Sequence, residues 1–122
     1  MRDPENSPDL NYYPRPSVGE RFPVNDPEMQ PKLEPLPGDS VSYFQGMLEG
    51  IAKIEAQGYA LLEELGAPAL TMVFTTGGGA ANPAWERIRE RTLHVKMMKA
   101  HSSHAAYGAA LLAAGIVAKT FQ

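Results

Sequence analysis

The sequence predicts an α/β fold, and three observations carry that expectation. Residues 40–65 hold a helical apolar stripe, and residues 70–75 form a β-branched and aromatic run. A glycine turn then leads from that run into a second helical segment. A short strand and a last helix follow, so the order is helix, strand, helix, strand, helix behind an N-terminal arm. The strand-helix-strand middle should be a right-handed parallel crossover. Two parallel strands with both edges open read as part of a larger sheet.

The arm occupies residues 1–39 and the α/β part residues 40–122. Nine of the eleven prolines fall within residues 1–37. Proline fixes its own φ and pushes the preceding residue toward extended geometry, so no helix is expected there. Tyr12, Tyr13, Val18, Phe22 and Val24 are more apolar than a solvated linker requires. Residues 10–38 are therefore expected to be an extended arm that needs a surface to pack on.

In the first helix Val41, Phe44, Met47, Leu48, Ile51, Ile54, Gly58, Leu61, Leu62 and Leu65 recur at spacings of three and four, which predicts one buried apolar face. Asp39 or Ser40 can cap its start, and Gly66 followed by Pro68 can stop it. Gly46, Gly50 and Gly58 each cost about 1 kcal/mol relative to alanine in a helix. Close approach by a neighbouring backbone is the expected compensation.

Residues 70–75 should be a buried strand. Asn82 and Pro83 form an N-cap and first-turn pair for a helix through Trp85, Ile88 and Leu93. Trp85 and Tyr107 sit at helical core positions, and Arg87, Arg89 and Arg91 are expected to form a solvated face. Residues 95–98 make the second strand. Ser102 or Ser103 can cap a last helix through Tyr107, Leu111, Leu112 and Ile116.

A formal charge of -3 argues against a nucleic-acid partner, which needs a basic face to release counterions. With no cysteine there is no thiolate metal site or cysteine nucleophile. The first residues carry no apolar run and several acidic groups, so neither a secretory signal nor a transit peptide is expected. Residues 105–118 are too short to span a bilayer, and no membrane association is expected. His101, His104 and His94 raise the question of a metal site. No carboxylate or cysteine lies beside them in sequence, so a surface or capping role is expected and no metal ligand is assigned.

The chemistry concentrates at Thr76-Gly77-Gly78-Gly79-Ala80-Ala81-Asn82. Three glycines between a strand and a helix let the backbone approach a ligand with no Cβ in the way. They also aim amide N–H groups at the helix start, where phosphate is favoured. No Gly-Lys-Ser/Thr follows, so this is not a P-loop, and Asn82 stands where a dinucleotide fingerprint would need its third glycine. A tight connection without a ligand is the competing reading of the turn by itself.

Three blocks, in order, resemble the FGGY carbohydrate kinases. Gly19-Glu20-Arg21-Phe22-Pro23 with Asp26-Pro27 is similar to the family's Gly-Glu-Arg-x-Pro…Asp-Pro segment. Residues 76–85, ending on Trp85, resemble its triple-glycine adenosine motif. Ala105-Ala106-Tyr107-Gly108-Ala109-Ala110-Leu111-Leu112-Ala113 resembles its closing helix. The resemblance spans about residues 10–117. The arm, from Tyr12-Tyr13-Pro14 to Asp26-Pro27, is most similar to the D-ribulose kinase group of plants and cyanobacteria.

The resemblance implies part of an actin-like ATPase (ribonuclease H-like) domain and a kinase that moves a phosphoryl group from ATP, with Mg, to a ketopentose such as D-ribulose. Gly77, Gly78, Gly79 and Asn82 would line the adenosine site, with Asn82 also open to a purely capping role. No residue here matches the family's catalytic aspartate or N-terminal phosphate motif, so no catalytic residue is assigned. Asp3, Asp9, Asp26 and Asp39 are not candidates, and Asp26 is expected in a turn. His94 takes the place of a family turn glycine, and His104 that of an often acidic residue. The chain is thus expected to bind ATP or ADP, and sugar only with an N-terminal domain or partner chain. It is expected to be inactive alone and to work in the cytoplasm, or in the plastid if the whole protein is plant-like. A non-catalytic remnant or interaction module is the rival expectation.

Overall fold

The computed structural model describes residues 6–102 and 104–115. Ser103 and Ile116, named above for the last helix, lie outside them. The elements are α1 (Ser40–Glu64), β1 (Met72–Thr75), a 3-10 turn (Gly78–Ala81), α2 (Pro83–Leu93), β2 (Lys96–Lys99) and α3 (Ala105–Ala113). The strands pair in parallel, with Val73 opposite Met97 and Thr75 opposite Lys99. The mixed helix and strand order is that expected of an α/β chain.

Helix α1 starts at Asp39, whose Oδ1 accepts from the Ser42 N–H at 2.7 Å. It ends where Gly66 turns to φ 106°, a left-handed value that suits glycine.

The expected apolar face of α1 is covered only in part: Gly58 is buried and Met47, Leu48, Ile54 and Leu61 are half-buried. Val41, Phe44, Ile51, Leu62 and Leu65 are exposed, Leu65 at 73%. Ser42, Gln45, Gly46, Glu49, Gly50 and Ala52, which were not on that face, are buried as well. The reason is what packs there. A Cβ on Gly46 would lie 2.7 Å from Leu10 Cδ1, one on Gly50 2.5 Å from the Tyr12 carbonyl oxygen, and one on Gly58 2.9 Å from Phe22 Cε1. The three glycines form the bed on which the arm lies, so the close neighbour is the arm itself.

The arm is correspondingly ordered. Tyr12 is 3% exposed, meets Tyr43 edge-on and donates its hydroxyl to the Pro35 carbonyl. Antiparallel bridges join Tyr13 to Lys32 and Glu20 to Asp26. Glu20 accepts from the Tyr13 hydroxyl at 2.8 Å and pairs with Arg15 at 2.9 Å. Asp26 does hold a turn, its Oδ1 accepting from the Glu28 N–H at 2.9 Å.

Helix α2 contacts α1, β2 and the 3-10 turn. Ile88 is fully buried, with Val73 and Met97 also in the core. Burying an isoleucine side chain is worth about 2 kcal/mol. Residues 70–75 were expected to be a buried strand. In the structure β1 begins at Met72, and Met72 and Phe74 are exposed, Phe74 at 63%. Successive side chains of a strand point to opposite faces, and only the Val73 and Met97 face meets the helices. Met72, Phe74 and Met98 are left bare.

The arginine-rich face of α2 is not solvated as a whole. Arg89 is 8% exposed and Arg91 is half-buried, because α2 lies against the α1 face that carries Glu55 and Glu49. Arg91 Nη2 reaches Glu49 Oε1 at 2.6 Å, and Ser7 Oγ donates to the other Glu49 oxygen at 2.7 Å. Arg87 alone of the three is exposed. Tyr107 is exposed rather than core, its ring 5.3 Å from that of His101. Among the described residues, no helix is long and apolar enough to cross a membrane.

Candidate nucleotide site at the glycine turn

Strand β1 delivers the chain to Thr75, and Gly77 then takes φ 88° with ψ -174°. That combination is essentially closed to any residue with a Cβ, which is the local reason for a glycine there. A 3-10 turn follows, held by Ala80 N–H to Gly77 O and Asn82 N–H to Gly79 O, each at 3.2 Å. The N–H groups of Gly78 and Gly79 stand at the head of this turn and donate to none of its bonds.

Asn82 caps α2. Its Oδ1 accepts from Ala84 N–H at 3.1 Å and Trp85 N–H at 3.3 Å, with Pro83 in the first turn. The cap therefore uses the side-chain oxygen, while Nδ2 remains the group able to donate to a ligand. At the other end His94 closes α2 in the left-handed conformation, φ 58°. Histidine is among the non-glycine residues enriched in that region.

The back of the turn is braced. A Cβ on Gly79 would lie 3.5 Å from Trp85 Cδ1, so the glycine sits against the indole. Arg89 Cζ lies 5.5 Å from the centroid of the Trp85 ring system. The same guanidinium donates Nη1 to Thr75 Oγ1 at 2.7 Å and pairs in bidentate fashion with Glu55. Its charge is held firmly, the Glu55 hydrogen bond raising the pKa against the opposing effect of burial. Arg89 thus fastens the end of β1 and Trp85 to α1.

The front of the turn opens on a cleft of about 620 Å³. Thr75, Gly77, Gly78, Ala80 and Ala81 line one side, and Lys99, Ala100, His101 and His104 the other. Parallel sheets place ligands at the carboxyl ends of their strands, and this cleft lies there. Of the four residues singled out from sequence, Gly77 and Gly78 reach the cleft. Gly79 faces a small gap behind the turn with Trp85 and Arg89, and Asn82 heads α2 outside the lining.

Sequence reasoning missed Lys99 as part of the site. The second strand was placed one residue early, and only the register that sets Lys99 opposite Thr75 brings it to the cleft. His104 occupies the N-cap position of α3 without a side-chain cap bond, while Ser102 Oγ accepts from its N–H at 3.2 Å. Among the described residues, no group of three His, Cys, Asp or Glu could hold a metal ion.

A strand, a φ-positive glycine and a capped helix thus frame an open cleft at the strand ends. The model of the C-terminal domain of the FGGY family of carbohydrate kinases matches residues 3–115. The chain belongs to the FGGY family. It is a C-terminal portion of a carbohydrate kinase, and that domain has the actin-like ATPase fold. The FGGY match runs through the arm as well as the α/β part, and in the structure these two pack on one another through Gly46, Gly50 and Gly58.

Proposed function

We propose that this chain is the nucleotide-holding part of a kinase that phosphorylates a ketopentose such as D-ribulose. The observation that carries the reading is Gly77 at φ 88°, ψ -174°, opening a side-chain-free turn onto a cleft at the strand ends. The cleft accepts a nucleotide on physical grounds. Nothing stands within 4 Å of where a Gly78 Cβ would be, and no carboxylate lines the cleft to repel phosphate. Gly77 and Gly78 would contact the nucleoside directly. Gly79 would let Trp85 close behind it, and Asn82 would offer Nδ2 while its Oδ1 keeps the helix cap.

ATP, when bound, supplies the phosphoryl group that is transferred. The residues here bind and orient it, and phosphoryl transfer depends mainly on such positioning and on charge neutralisation. The cleft has no carboxylate to act as general base or hold Mg, so those roles fall to the N-terminal domain that the family resemblance implies. The ketopentose assignment draws on the likeness of residues 12–27 to D-ribulose kinases. The isolated chain is then inactive. A coupled kinase assay with D-ribulose and D-xylulose should show no turnover, and robust turnover would sink this part of the reading.

A second reading is a non-catalytic interaction module. It is favoured by the exposed apolar surface of α1 and by the bare Met72, Phe74 and Met98 face of the sheet. Calorimetry with ATP and ADP separates the two. Sub-millimolar binding supports the nucleotide site, and its absence supports the module.

A further inference from the structure

The cleft has two unlike walls. The glycine wall carries no charge, only backbone groups and the small side chains of Thr75, Ala80 and Ala81. The opposite wall carries Lys99, the one side chain of fixed charge in the lining, with His101 and His104 beside it. None of the ion pairs among the described residues involves Lys99; they join Arg15 to Glu20, Lys53 to Asp9, Arg89 to Glu55 and Arg91 to Glu49. Lys99 therefore has no ion-pair partner among the described residues, and it borders both the cleft, which no carboxylate lines, and the small gap behind the turn, which Glu86 also lines.

The two walls are held in register. Thr75 and Lys99 are ladder partners, and Ala100 N–H donates to the Thr75 carbonyl at 3.0 Å. Beyond the strands, Thr76 Oγ1 donates to the Ser102 carbonyl at 3.1 Å, which ties the glycine turn to the loop that bears both histidines. His101 is further steadied by the Tyr107 ring. A ligand with one neutral and one anionic end would enter this cleft in a single orientation.

We propose that Lys99, flanked by His101 and His104, recognises the phosphate chain of the nucleotide, opposite the glycine turn that receives the nucleoside. The inference rests on the adenosine-nucleotide reading of the turn and adds the residues that set preference by phosphate number. Lysine suits this role as a compact point charge with three donors, and an imidazole side chain can add an N–H donor. At an open site one such charge is worth about a fivefold change in affinity.

The test is isothermal titration of the full chain with adenosine, ADP, ATP and tripolyphosphate. In the native chain ADP and ATP should bind more tightly than adenosine, and tripolyphosphate more weakly than ATP. Lys99→Gln should weaken ADP and ATP about fivefold and leave adenosine unchanged, while Lys99→Arg should retain most of the affinity. Paired His101→Gln and His104→Gln changes, which keep a donor on each side chain, should weaken ADP less than Lys99→Gln does. Lys99 is exposed, so the variants should keep the native far-UV circular dichroism. Equal affinity for adenosine and ADP, or equal loss for adenosine, ADP and ATP in Lys99→Gln, would overturn the inference and leave the nucleotide reading standing. Tripolyphosphate binding as tightly as ATP would also overturn it. No binding of adenosine, ADP or ATP would bring down both.

Discussion

The Arg89 guanidinium meets the Glu55 carboxylate with two bonds, Nε to Oε2 at 2.9 Å and Nη2 to Oε1 at 2.6 Å. This pair joins α2 to α1 across an interface with few large apolar groups, and through Thr75 it also holds the start of the glycine turn. Removing one partner of a largely buried pair strands the other charge, at a cost of about 3 kcal/mol. Arg89→Ala should therefore lower the urea midpoint strongly. Arg89→Lys should recover little of it, because a lysine has no planar fork to match the carboxylate. An unchanged midpoint in Arg89→Ala would show that the pair is not holding the helices together.

Gly50 tests the docking of the arm. Alanine there would gain about 1 kcal/mol of helix propensity. Its methyl, however, would lie 2.5 Å from the Tyr12 carbonyl oxygen, a backbone atom that cannot turn away. Gly50→Ala should therefore release the arm, seen as faster proteolysis within residues 10–38 and loss of the Tyr12 environment in near-UV circular dichroism. Protection equal to the native chain would contradict the packing described.

The arm also carries a pH dependence. The Tyr13 hydroxyl bond, then the Arg21 backbone N–H, hold the Glu20 pKa below its ordinary 4.5, with Arg15 assisting. A carboxylate depressed in the folded state contributes stability above its unfolded pKa and loses it as pH falls through the folded value. The Glu20 contribution should be intact at neutral pH and disappear below about pH 4.5. Urea midpoints measured from pH 7 downward should fall less steeply in Glu20→Gln than in the native chain, and parallel curves would contradict this.

Asn82 separates cap from ligand contact. Asn82→Ala should lose about 1 kcal/mol of stability with the cap. Asn82→Asp keeps a capping oxygen and removes the Nδ2 donor, so stability should hold while ADP affinity falls. Full ADP affinity in Asn82→Asp would leave Asn82 a cap alone.

The sequence made the element order legible because each boundary has a local cause: Asp39 and Asn82 cap helices, Gly66 stops one, and Gly77 opens the turn. The buried face of α1 was legible only at its glycines. Its period is helical on both sides, and the choice depended on the arm lying over Gly46, Gly50 and Gly58, a contact between segments far apart in sequence. The same holds for Arg89, whose fate turned on Glu55 lying opposite it, and for Lys99, which enters the cleft through strand register alone. The glycines were visible because backbone geometry is local. The cationic wall that faces them was not.

The most direct test of the central claim, that the glycine turn holds an adenosine nucleotide, is calorimetric titration of ADP into the native chain and into Gly78→Val. Gly78 has ordinary φ and open space where its Cβ would be, so valine should leave the fold intact while filling the cleft. The account predicts sub-millimolar ADP binding to the native chain and its loss in Gly78→Val at unchanged melting temperature. Absence of binding to the native chain, or equal binding to both, would contradict it.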